Sequence, residues 1–498
     1  MNNVFDFIAF LLSDVGNSIS TYAGIEHKSI KLVGKDELFL NKFIEELKAF
    51  HQQQGNDSYN SIIRDGIPDS LFQKYIKNDA FRRNKDAVYF LVSEIAMVFL
   101  NSDNLLEASQ EAYQIERFNH NSIGFRQLNS NDSVQKTGYI LLPDLGTFGG
   151  KNSSSSVNFE KIHLNHLIIL TPSDLVARNG ERFEIRNILP PKSSHQSGNM
   201  VDQVLTIAVS PLTDRWLLND QPKVIRNNYD NEEYLFTCEG ITDENLVMTR
   251  VNAAYQEACA HRAQILVFPE MYGTKELSVN AADIISNTTS HPGPLVVMPS
   301  WWHDCKNKAS FLDENLGFIY GQNKHFPFLY NIRNEKYKHP SLEKLRNSDY
   351  TIYLYHLPTV GRICICICKD FLMDSYRRIL SERLEASIIL VPAFSPKSEH
   401  FTNCLDELRH AGTYGVFVNC CAALCNNTGT YSPVTADAVI GEVTSTRSFS
   451  NRDDPPLYLL KPECNGSCEN RDTCVFIIQI RSDGNISANH VCKSSYWQ

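Results

Sequence analysis

The segment Gly361-Arg-Ile-Cys-Ile-Cys-Ile-Cys-Lys-Asp-Phe371 constrains the fold of this chain more than any other. Residues 363–367 alternate Ile and Cys without a charge, which suits a strand enclosed on both faces. Lys369 and Asp370 end the apolar run, so the strand delivers Cys368 to a turn. In a regular strand Cys364, Cys366 and Cys368 share one side, and only Cys368 stands where the run stops. A second apolar run, Ile265-Leu-Val-Phe-Pro-Glu270, ends on a carboxylate. A thiol and a carboxylate at two strand ends point to a nucleophile and its base brought together by folding.

The rest of residues 201–498 alternates strand and helix signals. Strands are expected at 205–210, 265–268, 295–298, 317–320, 351–356, 362–367, 388–391 and 416–419, with helices over 244–261 and 375–385. Residues 1–200 read differently. Phe39, Phe43, Leu47 and Phe50 recur at helical spacing, and residues 87–100 form a second, more buried helix. Short strands are expected after residue 130, at 139–142 and 166–170. All fourteen Cys and all four Trp lie beyond residue 200, and Pro190-Pro-Lys-Ser-Ser-His-Gln-Ser-Gly-Asn199 has linker chemistry at that boundary. Two domains are therefore expected, 1–200 mostly helical and accessory, 201–498 α/β.

A net charge of −10 argues against a nucleic-acid partner. The apolar stretch 87–100 is too short for a bilayer span and contains Ser93 and Glu94. The first twelve residues lack a basic region and carry Asp6 within their apolar run, unlike a signal peptide. A cytoplasmic protein with buried free thiols, rather than disulfides, is the expectation.

Residues ~201–490 resemble the nitrilase superfamily of carbon–nitrogen hydrolases. The pieces that carry the resemblance occur in order: Leu205-Thr-Ile-Ala-Val, Val-Phe-Pro-Glu270, Phe318-Ile-Tyr-Gly-Gln-Asn-Lys324, the cysteine turn at 361–370, Leu390-Val-Pro-Ala and Val416-Phe-Val-Asn419. The resemblance implies a four-layer αββα sandwich and an amidase-type hydrolase that needs neither cofactor nor metal. Cys368 would be the nucleophile, Glu270 the base, and Lys324 the stabiliser of the thiolate and the oxyanion. The backbone N–H of Lys369 would be the second oxyanion donor. Lys306, Lys308, Lys336 and Lys338 compete with Lys324, which alone follows a strand-like segment and precedes His-Phe-Pro-Phe. A second glutamate between lysine and cysteine is implied, with Glu343 better placed than Glu335. Small amides or nitriles are the implied substrates, and at least a dimer is implied, with residues 1–200 open to a regulatory partner. An acyltransferase with the same three groups, or a weakly active effector or assembly module, remains an alternative.

The chain departs from the family pattern at Lys369, where an aromatic is common. Its cationic side chain either favours an anionic substrate or points to solvent. The family's Arg-Ala helix is only loosely matched by Arg409-His-Ala411. Cys464, Cys468 and Cys474, with His490 and Cys492, lack the spacing of paired zinc knuckles, so a loop with free thiols is the plainer reading. His163 and His166 read as structural. Gly146-Thr-Phe-Gly-Gly-Lys151 lacks P-loop spacing.

Overall fold

The computed structural model describes residues 4–15, 32, 34–53, 67–99, 140–143, 162–164, 167–170, 175–176, 180, 182–188, 204–226, 232–287, 293–313, 317–330, 339–346, 350–357, 360–425, 439–444, 457–461, 473–482 and 484–493. The Pro190–Asn199 segment, the Gly/Ser run 146–156, His166, Glu335, Lys336, Lys338, Cys464 and Cys468 lie outside the described residues. The chain divides into two compact units. One comprises 1–147, 153–195 and 354–361; the other comprises 148–152, 196–353 and 362–498.

The first unit opens with helices α1 (Val4–Val15), α2 (Lys35–Gln53), α3 (Asp69–Lys77), α4 (Asp79–Arg83) and α5 (Lys85–Phe99). Four short strands follow: β1 (Ile140–Pro143), β2 (Ile162–Leu164), β3 (Leu167–Leu170) and β4 (Glu184–Ile188). β2, which holds His163 of the strand-like segment read from sequence, pairs with β3, as does β1. The helices share an apolar core in which Phe7 meets Phe43 and Tyr75 at ring separations of 6.2 and 6.0 Å. Asp14 on α1 ties this core to later helices, accepting from Tyr75 Oη at 2.8 Å and Arg82 Nε at 2.9 Å. Segment 354–361 groups here because His356 is held 2.9 Å from Asn187 of β4.

The second unit starts with β5 (Val204–Val209), β6 (Leu218–Arg226), β7 (Glu232–Ile241), α6 (Glu244–Ala260), β8 (Ile265–Val267), α7 (Lys275–Asn287), β9 (Leu295–Val297) and β10 (Trp301–His303). Then come β11 (Lys306–Asp313), β12 (Gly317–Asn323), β13 (Leu329–Tyr330), β14 (Ser341–Glu343), β15 (Thr351–Leu357) and β16 (Gly361–Ile365), of which residues 354–357 and Gly361 group with the first unit. A 3₁₀ turn (Cys368–Leu372) leads to α8 (Asp374–Arg378), a π-helical turn (Ile379–Arg383) and β17 (Ile388–Ala393). The unit ends with α9 (Glu399–His410), β18 (Tyr414–Asn419), α10 (Cys421–Cys425), β19 (Gly441–Thr444), β20 (Leu457–Leu460), β21 (Thr473–Arg481) and β22 (Ile486–Lys493).

Two large sheets form its interior. β5, β8 and β9 are parallel, extended through β11 on one side and the β21–β22 hairpin on the other. β16, β17 and β18 are parallel and continue into antiparallel β19 and β20. All six residues of β17 and of β18 are buried, as are the three of β8. Strands buried on both faces need cover on both sides. α6 and α7 lie against one sheet and α9 against the other, which gives the unit a mixed α/β architecture.

Two sequence expectations shift in detail. The strand read as 362–367 stops at Ile365; Cys366 still donates to Leu390 O at 2.9 Å, and Cys368 then adopts φ +45°. The helix read as 375–385 is broken after Arg378, where the Ser381 hydroxyl donates to the Arg377 carbonyl at 2.9 Å and the backbone widens into the π turn. A third sheet, in the order β13-β14-β7-β6, was absent from the sequence reading and stands apart from the two large ones.

Candidate active site

Four of the side chains singled out from sequence meet in the second unit. Glu270 leaves the end of β8, and its N–H donates to Ala393 O at the end of β17 at 3.3 Å. The next residue, Met271, has φ +77° and is pinned by its N–H to Ser300 Oγ at 2.9 Å. Lys324 follows β12 directly, its N–H bonded to Asn307 O at 2.7 Å. Glu343 is the last residue of β14. Cys368 opens the 3₁₀ turn in a left-handed backbone conformation that costs a non-glycine residue about 1–3 kcal/mol.

Lys324 Nζ lies 2.7 Å from Glu270 Oε1 and 2.7 Å from Glu343 Oε2. All three residues are at most 5% exposed. Glu270 Oε2 accepts from the Phe394 N–H at 3.0 Å, and the Cys368 thiol lies close enough to the same carboxylate to feel its charge. Glu343 Oε2 also accepts from the Phe328 N–H at 2.9 Å. Buried charge survives only when paired and hydrogen-bonded in this way.

The electrostatics follow from that geometry. Burial pushes the Cys368 thiol well above its ordinary value, and Glu270 adds to the rise while Lys324 and the Phe394 N–H oppose it. Burial raises Glu270 as well, Lys324 opposes this, and Glu343 adds to it. For Lys324, burial acts downward, but Glu270 and Glu343 outweigh it and hold the ammonium well above the usual lysine range. The site therefore holds a cation between two buried carboxylates, with a buried thiol beside one of them.

Asn307 was not anticipated. Its Nδ2 donates to Glu270 Oε1 at 2.8 Å and to Glu343 Oε1 at 3.3 Å, so one amide bridges both carboxylates. It stands between Lys306 and Lys308, which were weighed as alternatives to Lys324. Lys308 instead lies over the Trp301 ring at 6.0 Å, and Lys306 is only partly buried on β11. No sequence signal distinguishes an asparagine whose partners arrive from β8 and β14. Asp370, two residues after Cys368, accepts from the N–H groups of His325 and Phe326, next to Lys324.

An open cleft reaches Glu270, Lys324 and Glu343. Its walls include Trp216, Leu218, Phe236, Phe328, Tyr330 and Phe394, with Asp220 among them. Cys368 is 2% exposed and does not line the cleft; its thiol meets Glu270, which does. Lys369, whose side chain was considered as an anion contact, is half-buried and is not part of the cleft wall.

Among the described residues no group of three His, Cys, Asp or Glu is arranged to hold a metal ion. Cys474 Sγ and His490 Nε2 are 3.4 Å apart across β21 and β22. No described helix is long and apolar enough to cross a membrane.

No family model matches this chain, and no curated protein does. Solved structures to which it is similar include proteins described as amidases or as members of the nitrilase superfamily. The NitN amidase of Nesterenkonia sp. AN1 is 15% identical, covering 43% of this chain and 78% of its own, with a TM-score of 0.31. Nit3 of Saccharomyces cerevisiae, described as a member of branch 10 of the nitrilase superfamily, is 11% identical over 58% of this chain and 90% of its own, with a TM-score of 0.34. A mutant of the Nesterenkonia AN1 amidase is 12% identical over 59% and 93%, also with a TM-score of 0.34.

Proposed function

We propose that this protein is a cysteine-dependent hydrolase of a non-peptide amide C–N bond, acting through an acyl-thioester on Cys368. The observation that carries the reading is the buried Glu270–Lys324 pair, 2.7 Å apart, with the Cys368 thiol within reach of its charges. A binding module has no use for a buried thiol, base and cation held in mutual contact.

Cys368 Sγ attacks the carbonyl carbon as its proton passes to Glu270. The oxyanion of the tetrahedral intermediate is met by Lys324 Nζ and the Lys369 N–H. Glu270 gives the proton to the departing nitrogen, the C–N bond breaks, and ammonia or an amine leaves. Water then attacks the thioester, Glu270 takes its proton, and collapse of the second intermediate releases the acid and returns the thiol. Glu343 and Asn307 are positioning residues: they keep Lys324 and Glu270 in register while charge moves between sulfur and oxygen.

The test is ammonia release from a panel of primary amides, with intact-mass detection of the acyl-enzyme. The expected result is a covalent adduct on Cys368 and release of ammonia that Cys368→Ala abolishes. Ammonia release persisting in Cys368→Ala would overturn the reading.

A further inference from the structure

Two phenylalanines join the charged groups to the cleft wall. The Phe394 N–H donates to Glu270 Oε2 at 3.0 Å, and the Phe328 N–H donates to Glu343 Oε2 at 2.9 Å. Both residues also line the cleft. They come from different places in the chain, Phe394 directly after β17 and Phe328 directly before β13. Each thus fixes one carboxylate with its backbone and brings a ring to the groups that act on the carbonyl. The Phe394 ring is itself held. It stacks on Tyr272 at 5.8 Å, with 27° between the planes, and meets Trp216 edge-on at 5.3 Å and 69°. Tyr272 is buried, and its hydroxyl donates to Arg215 O at 2.8 Å and accepts from the Leu217 N–H at 3.2 Å. Trp216, Phe328 and Phe394 are half-buried, packed on the core and bordering the cleft.

This wall is the chemistry of a ring site. Glu270, Lys324 and Glu343 hold one another, and the Asp220 charge bears on the Tyr330 phenol of the small sheet. What flanks the two carboxylates is aromatic. Apolar surface left wet in a cleft gains from being covered, and a ring gains further from edge-on or offset contact with another ring. A small aliphatic amide would leave these rings wet, and a charged acyl group would give up its hydration against them. The acyl group is the part of an amide that stays on sulfur after the amine has left. A fixed wall beside the reacting carbon therefore serves it through both halves of the reaction.

We infer that Phe394 and Phe328, backed by Trp216, bind an aromatic ring on the acyl group, so that the substrate class is carboxamides bearing an aryl group close to the carbonyl. This deepens the amide-hydrolase reading and rests on it for the chemistry at the carbonyl.

The probes are phenylacetamide, cyclohexylacetamide and acetamide. The first two share a carbon skeleton and differ in aromaticity; the third lacks the ring. With the full-length protein, kcat/KM for ammonia release should favour phenylacetamide over acetamide by about ten- to a hundredfold, the scale of one buried ring. It should favour phenylacetamide over cyclohexylacetamide by about two- to tenfold, the scale of an aromatic pair. Phe394→Leu and Phe328→Leu keep the N–H groups that hold Glu270 and Glu343, and each should lower both ratios. A purely structural role would slow all three amides alike. Calorimetric binding of the three amides to Cys368→Ala reads the same preferences without turnover. Turnover of phenylacetamide and acetamide without preference overturns the ring site and leaves the hydrolase. Equal use of phenylacetamide and cyclohexylacetamide overturns the aromatic assignment. Preferential binding of phenylacetamide without turnover by the unmodified protein keeps the ring site and overturns the hydrolase. Ratios unchanged in both leucine variants overturn the assignment to Phe328 and Phe394, and no binding of any probe overturns the ring site outright.

Discussion

The Asp370 carboxylate receives the His325 backbone N–H with both oxygens, at 3.1 and 2.9 Å. It also takes the Phe326 N–H at 2.8 Å. One side chain thereby fastens the turn that starts at Cys368 to the loop that carries Lys324. Burial raises Asp370 well above the ordinary carboxylate value, and the two N–H groups work against that rise.

Asp370→Ala is expected to leave these buried donors unsatisfied, at a cost of about 1–3 kcal/mol. Because the two loops then lose their common anchor, the reactivity of Cys368 should fall in the folded variant. Denaturant unfolding and iodoacetamide labelling at Cys368 measure the two effects separately. Labelling as fast as in the unmodified protein would show that the tether does not position the sulfur.

The three cysteines of one run should separate cleanly. Cys368→Ala is expected to abolish turnover and adduct formation. Cys364→Ala and Cys366→Ala remove buried thiols at 0% exposure and should cost about 1–2 kcal/mol of stability with turnover retained. Peptide mapping after labelling decides which sulfur reacts.

Lys324 stands between two buried carboxylates, so its removal strands charge. Lys324→Met is expected to cost about 3–5 kcal/mol and to abolish activity. Removing Glu343 charge as well should relieve part of that loss. A Lys324→Met, Glu343→Gln double variant that regains stability but not turnover would assign the lysine to chemistry as well as to pairing.

The direction of the Glu270 shift sets an acid limb. Its folded value is raised, so the group protonates at a higher pH than an ordinary glutamate. A protonated Glu270 cannot take the thiol proton. kcat/KM should therefore be lost as pH falls through that raised value, above the usual carboxylate range, and be present above it. Lys324 is held well above the ordinary lysine value, so it should impose no alkaline loss below that value. A pH–rate profile whose acid limb sits at or below the ordinary glutamate value would contradict this.

Legibility followed how local each signal was. The parallel strands were readable because Ile265–Phe268, Arg362–Ile367 and Ile388–Val391 are continuous apolar runs, the mark of burial on both faces. Glu270 and Cys368 were readable because each directly follows such a run, and Lys324 because it closes a segment that resembles the family's. Glu343 was harder, since β14 is only three residues long and its exposed Leu342 and buried Glu343 reverse the usual assignment of polarity to surface. Asn307 and Asp370 gave no signal, because their partners come from other strands and loops. β6 and β7 were missed because Asn219, Lys223, Glu232 and Glu233 give their sequences the look of a loop; their pairing supplies the order that their composition withholds.

The separation of the small sheet from the two large ones divides the labour of change. Glu270 and Cys368 stand on the ends of strands that form the main core, where few substitutions are tolerated. Leu218, Asp220, Phe236 and Tyr330 stand on the small sheet, and only Glu343 belongs to both the wall and the charged triad. New preferences can therefore be selected on one scaffold while the bond-breaking groups stay as they are, which makes this sheet the place to diversify when redirecting the protein to other molecules.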